Sequence, residues 1–328
     1  MPTFCRHNHI VQNCPICSRE QAVEMRPMVS SGTSASPPSD RPSAARGRSS
    51  PPRSGGRSAG VRVSRLARGA DDGYRSGLAP GLRSSADAQR LAEELAFAAG
   101  RLARLASDPP GLYAEMSAGD ADLEQRTWLA FLIAYLCPLD TDEPFAAIEA
   151  AATPWSAGEL PALETVPTGP RGAHDPKRGA GTISAYLAWA QRAGSQAAAF
   201  TGEPAWPAER RFARVFERLA LPGFHRDARF DLLVSLGWLG LYDLRAGSLQ
   251  LGGANAVTDA AKRALGIGDP LLLERRAGEL ALACGLPLES LDLGLYNWDR
   301  GARPRLGLGP GAQPDPAALA SARAGLGL

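Results

Sequence analysis

Three of the five cysteines of this chain crowd into its first twenty residues, as Cys5-Arg-His7-Asn-His9 followed by Cys14-Pro-Ile-Cys17. A Cys-x-x-Cys pair lets two thiolates meet one ion from a tight turn, and Pro15 suits that turn. Cys5 with His7 or His9 would complete a set of four soft or borderline ligands, which favours tetrahedral zinc. The expected ligands are Cys5, His7, Cys14 and Cys17, with His9 as the alternative to His7. A site closed by four protein ligands is structural rather than catalytic. A redox Cys-x-x-Cys would open a helix within an α/β domain, a setting the neighbouring sequence lacks. Disulfides do not fit a chain whose start carries no apolar secretion signal. Cys137 and Cys284 stand alone among apolar residues and read as core.

A second concentration of reactive side chains is the loop GlyProArgGlyAlaHisAspProLysArgGly (169–179), which sets Arg171, His174, Asp175, Lys177 and Arg178 between turn-forming residues. Arginines so placed can grip phosphate bidentately. His174 and Asp175 are groups able to move protons near neutral pH. The plain alternative is an exposed polar loop, although long ordered loops in compact domains are more often functional.

These groups need a scaffold, and the sequence points to helices. Aromatic residues make up only 6% of the 328, so a core would be built largely of Leu and Ala. Leu91, Leu95, Leu102 and Leu105 recur at helical spacing, with Ser84 and Asp87 offering a capping box before them. Further helices are expected at 122–137, 142–152, 181–200, 207–220, 227–240, 256–265, 270–284 and 288–296. Gly and Pro punctuate the gaps between them. No alternating Val/Ile/Thr run is long enough to require a sheet, so the expected class is all-α over about 85–300. The last residues, 301–328, return to Gly, Pro and Ala and are expected to be loose, with one short helix at 315–325.

Between the cysteine cluster and the helices, residues 21–84 read as a disordered tether rich in Ser, Pro, Gly and Arg. From Arg26 to Arg68 nine arginines face a single acid, Asp40. Clustered arginines attract phosphate backbones through counterion release; a mere spacer is the plain alternative. The whole chain carries a formal charge of only +2, which excludes a uniformly basic protein. No run approaches the roughly 18 apolar residues needed to cross a bilayer, and a soluble, cytoplasmic protein is expected.

Several segments resemble the helix-hairpin-helix DNA glycosylases. LeuIleAlaTyrLeuCysProLeuAspThrAspGluProPhe (132–145) is similar to the helix and turn that open that fold. LeuValSerLeuGlyTrpLeuGlyLeu (233–241) resembles its hairpin, two helices joined by a Gly-x-x-Gly turn at Gly237 and Gly240. AsnAlaValThrAspAlaAlaLysArgAlaLeuGlyIleGlyAsp (255–269) resembles the segment that carries the catalytic aspartate. Over roughly 85–300 the chain more closely resembles the α-glutamyl/putrescinyl thymine pyrophosphorylase family, its third clade in particular. The match rests on GlyProArg (169–171), AlaHisAspProLysArgGly (173–179), ThrIleSerAlaTyrLeuAlaTrpAla (182–190), ArgPheAlaArgValPheGluArgLeu (211–219), AlaAlaLysArgAlaLeuGlyIleGlyAspPro (260–270) and LeuTyrAsnTrp (295–298). Clade members also carry an N-terminal Cys/His knuckle.

The resemblance implies cleavage or exchange of the N-glycosidic bond of a modified, phage-type hypermodified pyrimidine in DNA, with a setting in phage defence. Such chemistry needs a carboxylate under the sugar as positive charge develops there. Asp259 is the first candidate and Asn255 the second, because the aspartate position of ordinary glycosylases falls nearer Asn255. Asp259 would otherwise be a solvated residue paired with Arg263. Lys262 is a candidate amine nucleophile, but the lysine of bifunctional glycosylases lies in the hairpin, so a phosphate contact or salt bridge is the favoured role. An extruded base is sandwiched by aromatics, and Tyr135 falls near the pocket-lining position of the resembling helix. Trp128, Tyr186, Trp189, Trp238 and Trp298 read as core by default. Two other functions stay open: a non-catalytic DNA-binding module, and a pyrophosphorylase acting on nucleotides.

Overall fold

The computed structural model describes residues 69–118 and 122–328. The candidate zinc ligands Cys5, His7, Cys14 and Cys17 and the basic stretch up to residue 68 lie outside the described residues. Among the described residues the architecture is all-α, with twelve α-helices and no strand. In chain order they are α1 Ser85–Ser107, α2 Leu112–Ser117, α3 Leu123–Leu136, α4 Ala146–Ala151, α5 Gly179–Arg192, α6 Gln196–Thr201, α7 Ala208–Arg218, α8 Arg226–Trp238, α9 Ala256–Leu265, α10 Pro270–Ala283, α11 Ser290–Arg300 and α12 Pro316–Leu326. None is long and apolar enough to cross a membrane.

The leucine spacing of α1 does what periodicity demands. Leu91, Leu95, Leu102 and Leu105 are all buried, and α1 packs against α11 and α12. Gly294 permits the α1–α11 crossing, since a Cβ there would lie 2.7 Å from Leu95 Cδ2 and 3.1 Å from its Cα. Helix α3 is apolar on nearly every side, and its Thr127–Leu136 stretch is buried except at Leu129, as befits a central helix. It packs on α8.

The expected capping box at Ser84 and Asp87 does not form. Ser84 makes no side-chain cap. The Asp72 carboxylate instead accepts from the Ser85 amide at 3.0 Å, while Asp87 accepts from the Gly69 amide at 3.2 Å. The preceding segment folds back and takes over the free helix-end donors. Residues 69–84 are therefore part of the folded domain rather than tether: Ala79 and Leu82 are buried, and Gly81 donates to Ala264 O at 3.0 Å.

The tail is likewise docked, not loose. Asp315 caps α12 by accepting from Ala318 N at 2.7 Å, Pro316 occupies its first turn, and Leu306, Leu308, Ala322 and Leu326 are buried. The single helix expected at 181–200 is broken at Gly194 (φ 91°), where Ser195 starts α6 by accepting from Ala198 N at 3.0 Å.

No helical hairpin forms where the resemblance gave it. Gly237 lies inside α8, with Leu244 O 2.2 Å from where its Cβ would be. Gly240 (φ 72°) ends that helix in a Schellman motif, with Gly240 N on Gly237 O at 3.1 Å and Leu241 N on Leu236 O at 3.0 Å. No helix follows until Ala256. A tight glycine turn does join α9 and α10, as one also joins α5 and α6 at Gly194. Gly266 (φ 67°) ends α9, and Asp269 with Pro270 opens α10.

Candidate functional site

Asn255 spends its side chain on folding. Its Oδ1 accepts from Thr258 N at 2.9 Å and its Nδ2 donates to Gly252 O at 3.2 Å, making it the N-cap of α9. Asp259 is exposed in the first turn of that helix. Arg263 does not pair with it but with Asp299. Lys262 is half-buried in the last turn of α9 and forms no ion pair among the described residues.

The 169–179 loop is pressed onto the C-terminus of α3. Gly169 N donates to Leu136 O at 2.9 Å, and Ala173 N to Tyr135 O at 2.8 Å, so the loop supplies donors to the unsatisfied carbonyls of the last turn. Glycine is required where it lies closest: a Cβ at Gly172 would stand 2.5 Å from Leu136 O. This docking sends Arg171 inward and His174 into the core. His174 Nε2 bonds Leu163 O at 2.8 Å and Nδ1 meets Tyr135 Oη at 3.2 Å, so both ring nitrogens are occupied. Asp175 accepts from Lys177 N at 2.9 Å in an exposed turn, and Arg178 is exposed just before α5. Tyr135 is 1% exposed and stacks on Phe131, itself stacked on Tyr186 with centroids 3.7 Å apart. Tyr135 is thus a core residue, and burial raises its phenol above the ordinary range.

Arg171 is where chemistry gathers. Its Nε donates to Asp231 Oδ2 at 2.7 Å, and its Nη2 donates to Asp231 Oδ1 at 3.2 Å and Asp292 Oδ1 at 2.5 Å. The guanidinium lies 4.7 Å from the ring centroid of Tyr296, whose hydroxyl donates to Pro170 O at 2.8 Å. Arg226 reaches Asp292 from the other side and also pairs with Asp227 at 3.2 Å. Helix α8 thus brings Arg226, Asp227 and Asp231, α11 brings Asp292 and Tyr296, and the loop brings Arg171.

Two guanidinium groups face three carboxylates, of which Asp292 is almost fully buried while Asp227 and Asp231 keep 18% and 17% of their side chains exposed. Burial opposes ionisation of Asp227, but Arg171 and Arg226 outweigh it and hold its carboxyl below the usual range. Burial pushes the Asp292 carboxyl upward, with Arg226 and Arg171 pulling the other way. Burial also works against the charge of Arg171, yet Asp231, Asp292 and Asp227 keep it well above the ordinary arginine value. Removing so many charges from water is costly to folding, and such clusters concentrate at functional sites.

Beside the cluster, a cavity of about 10 Å³, room for one water, is bounded by Arg101, Tyr113, Cys137, Pro138, Asp231 and Ser235 among others. Cys137 sits there with φ 61°, a conformation uncommon for a non-glycine residue. Burial pushes its thiol up to about 12. The walls of this cavity include no residue of the 169–179 loop or of the 255–263 segment. The two segments instead touch different parts of α11, through Asp292 and Asp299 respectively.

Sequence reasoning named Arg171 but missed Asp231, Asp292, Arg226, Asp227 and Arg101. The available signal was charge inside apolar runs, as at Asp292 in LeuGluSerLeuAspLeuGlyLeu (288–295). Among the described residues no group of three or more His, Cys, Asp and Glu is arranged to hold a metal ion. No family model, no curated protein and no solved structure matches this chain.

Proposed function

We propose that this chain is a DNA glycosylase-like enzyme that breaks the N-glycosidic bond of a modified pyrimidine in DNA. The supporting observation is the pair of carboxylates, Asp231 and Asp292, that share Nη2 of Arg171 beside a small cavity. Cleavage of a base–sugar bond leaves positive charge on the sugar, and a fixed carboxylate in a dry site stabilises it. The proposed carboxylates are therefore Asp292 and Asp231, in place of Asp259, which is exposed, and Asn255, whose side chain caps α9. DNA would be held by the α9–α10 hairpin. The first turn of α10 carries Leu271 at 82% exposure, with Lys262 on α9 and Arg275 and Arg276 further along α10. Backbone contacts of this kind position a duplex without reading its sequence. A zinc knuckle of Cys5, His7, Cys14 and Cys17 would assist docking, and zinc counted in the purified full chain tests it directly.

The reading is tested by incubating the full chain with DNA bearing hypermodified pyrimidines and counting abasic sites. Asp292→Asn should cut cleavage by about 10²-fold or more while DNA retention holds. Equal cleavage by the two proteins would overturn the assignment. One observation favours the alternative of a non-catalytic DNA-binding module: Asp292 is only 1% exposed and the adjoining cavity is water-sized. Salt-sensitive DNA retention with no abasic sites is the outcome that reading expects.

A further inference from the structure

Four arginines of the domain are buried: Arg101, Arg171, Arg211 and Arg226. Arg171, Arg211 and Arg226 each meet a carboxylate. Among the described residues Arg101 meets none. Its one hydrogen bond runs from Nη2 to Tyr113 Oη at 3.3 Å, and its Nε is buried without a partner. A guanidinium taken out of water without a counter-charge costs several kcal/mol. Arg101 also lines the 10 Å³ cavity. The Asp231 carboxylate borders the same space, but both its oxygens already bind Arg171. The remaining polar wall is Tyr113, Ser235 and the Cys137 thiol, which burial keeps protonated at neutral pH. The cavity therefore sets Arg101 beside a carboxylate whose two oxygens are already engaged by Arg171, across a space the size of one oxygen atom.

We infer that this cavity is a binding site for a single electron-rich oxygen of a ligand, held by Arg101. The inference deepens the proposed function and rests on it: the ligand oxygen is the ring carbonyl next to the glycosidic nitrogen of a 2-oxopyrimidine base. In the step, the bond from the sugar carbon to the base nitrogen breaks and its electron pair stays with the base, spread onto that carbonyl oxygen. A water oxygen bonds the sugar carbon, and one of the water's protons ends on the base. Arg101 faces the negative charge of the leaving base, and Asp231 and Asp292 face the positive charge of the sugar.

Arg101→Met and Arg101→Lys in the full chain test this. Losing an unpaired buried charge should leave the melting temperature of Arg101→Met at or above that of the parent, whereas a purely structural arginine would lower it. Abasic-site formation should slow by about 10²–10³-fold. The slowing should shrink on DNA whose target pyrimidine carries an electron-withdrawing 5-substituent, and Arg101→Lys should recover part of the rate. An unchanged rate and an unchanged dependence on the leaving base would overturn the inference, as would a lowered melting temperature. A second arm needs no cleavage: crystals soaked in bromide should show the ion beside Arg101 in the parent and not in Arg101→Met. Should the parent cleave no DNA, the glycosylase reading fails while a bromide peak there still upholds the site. Absence of that peak overturns the site itself.

Discussion

Replacing Arg171 by Met removes the one group that ties the 169–179 loop, α8 and α11 together. The side chain is fully buried and makes two hydrogen bonds to Asp231 and one to Asp292. Asp292 would keep Arg226, but Asp231 would lose its only ionic partner among the described residues. Stranding a buried charge in this way costs about 3–5 kcal/mol. With a urea m-value of about 3 kcal/mol/M, that lowers the unfolding midpoint by roughly 1–1.7 M. The companion variant Arg171→Met with Asp231→Asn no longer strands a charge, so it should be more stable than the sum of the two single changes implies. Equilibrium urea unfolding followed by far-UV circular dichroism gives all four values. A loss below about 1 kcal/mol for Arg171→Met, or strict additivity in the double variant, would refute the claim that this network holds the loop.

Alkaline pH should unfold the protein through its buried thiols. The folded-state values of Cys137 and Cys284 are raised from 9.0 to about 12 and about 11, so their contribution is complete below pH 9 and is lost as pH rises towards those values. Each group gives a slope of about 1.4 kcal/mol per pH unit, and Cys137→Ser should flatten the fall between pH 9 and 11; parallel curves would count against it. Gly294→Ala should destabilise by about 1–3 kcal/mol through overpacking against Leu95, read as a drop in melting temperature. Asn255→Ala should cost about 1 kcal/mol as a lost helix cap and leave cleavage per folded molecule unchanged; a selective loss of cleavage would return Asn255 to the site.

The helices were legible because their signal is local. Leucine spacing and Gly/Pro punctuation are written in adjacent residues, and α1, α3, α9 and α10 fall close to where that pattern puts them. The short α2 and the break at Gly194 were not foreseen, since one glycine within a Leu- and Ala-rich run does not announce that its φ is 91°. The site was legible only in part. Arg171 drew notice as a phosphate grip, yet its partners lie 60 and 121 residues away in sequence, and no spacing rule links them. Asn255 and Asp259 illustrate the converse error. A polar residue opening a helix has a local use as a cap, and that use explains Asn255 without any chemistry.

The docking of α12 has a practical consequence for anyone handling the protein. Cys284 is fully covered, with Ala322 O 3.8 Å from its sulfur and Gly325 packed against it. Tyr74, in the segment ahead of α1, donates its hydroxyl to the carbonyl of Leu326 at 2.5 Å. Trimming the chain before Asp315, or prising its end away with a bulky fusion, would bare that sulfur to oxidants and invite cross-links through Cys284. A thiol reagent that labels Cys284 in the shortened chain and spares it in the intact one, read by mass spectrometry of the peptide that carries it, would make the difference visible.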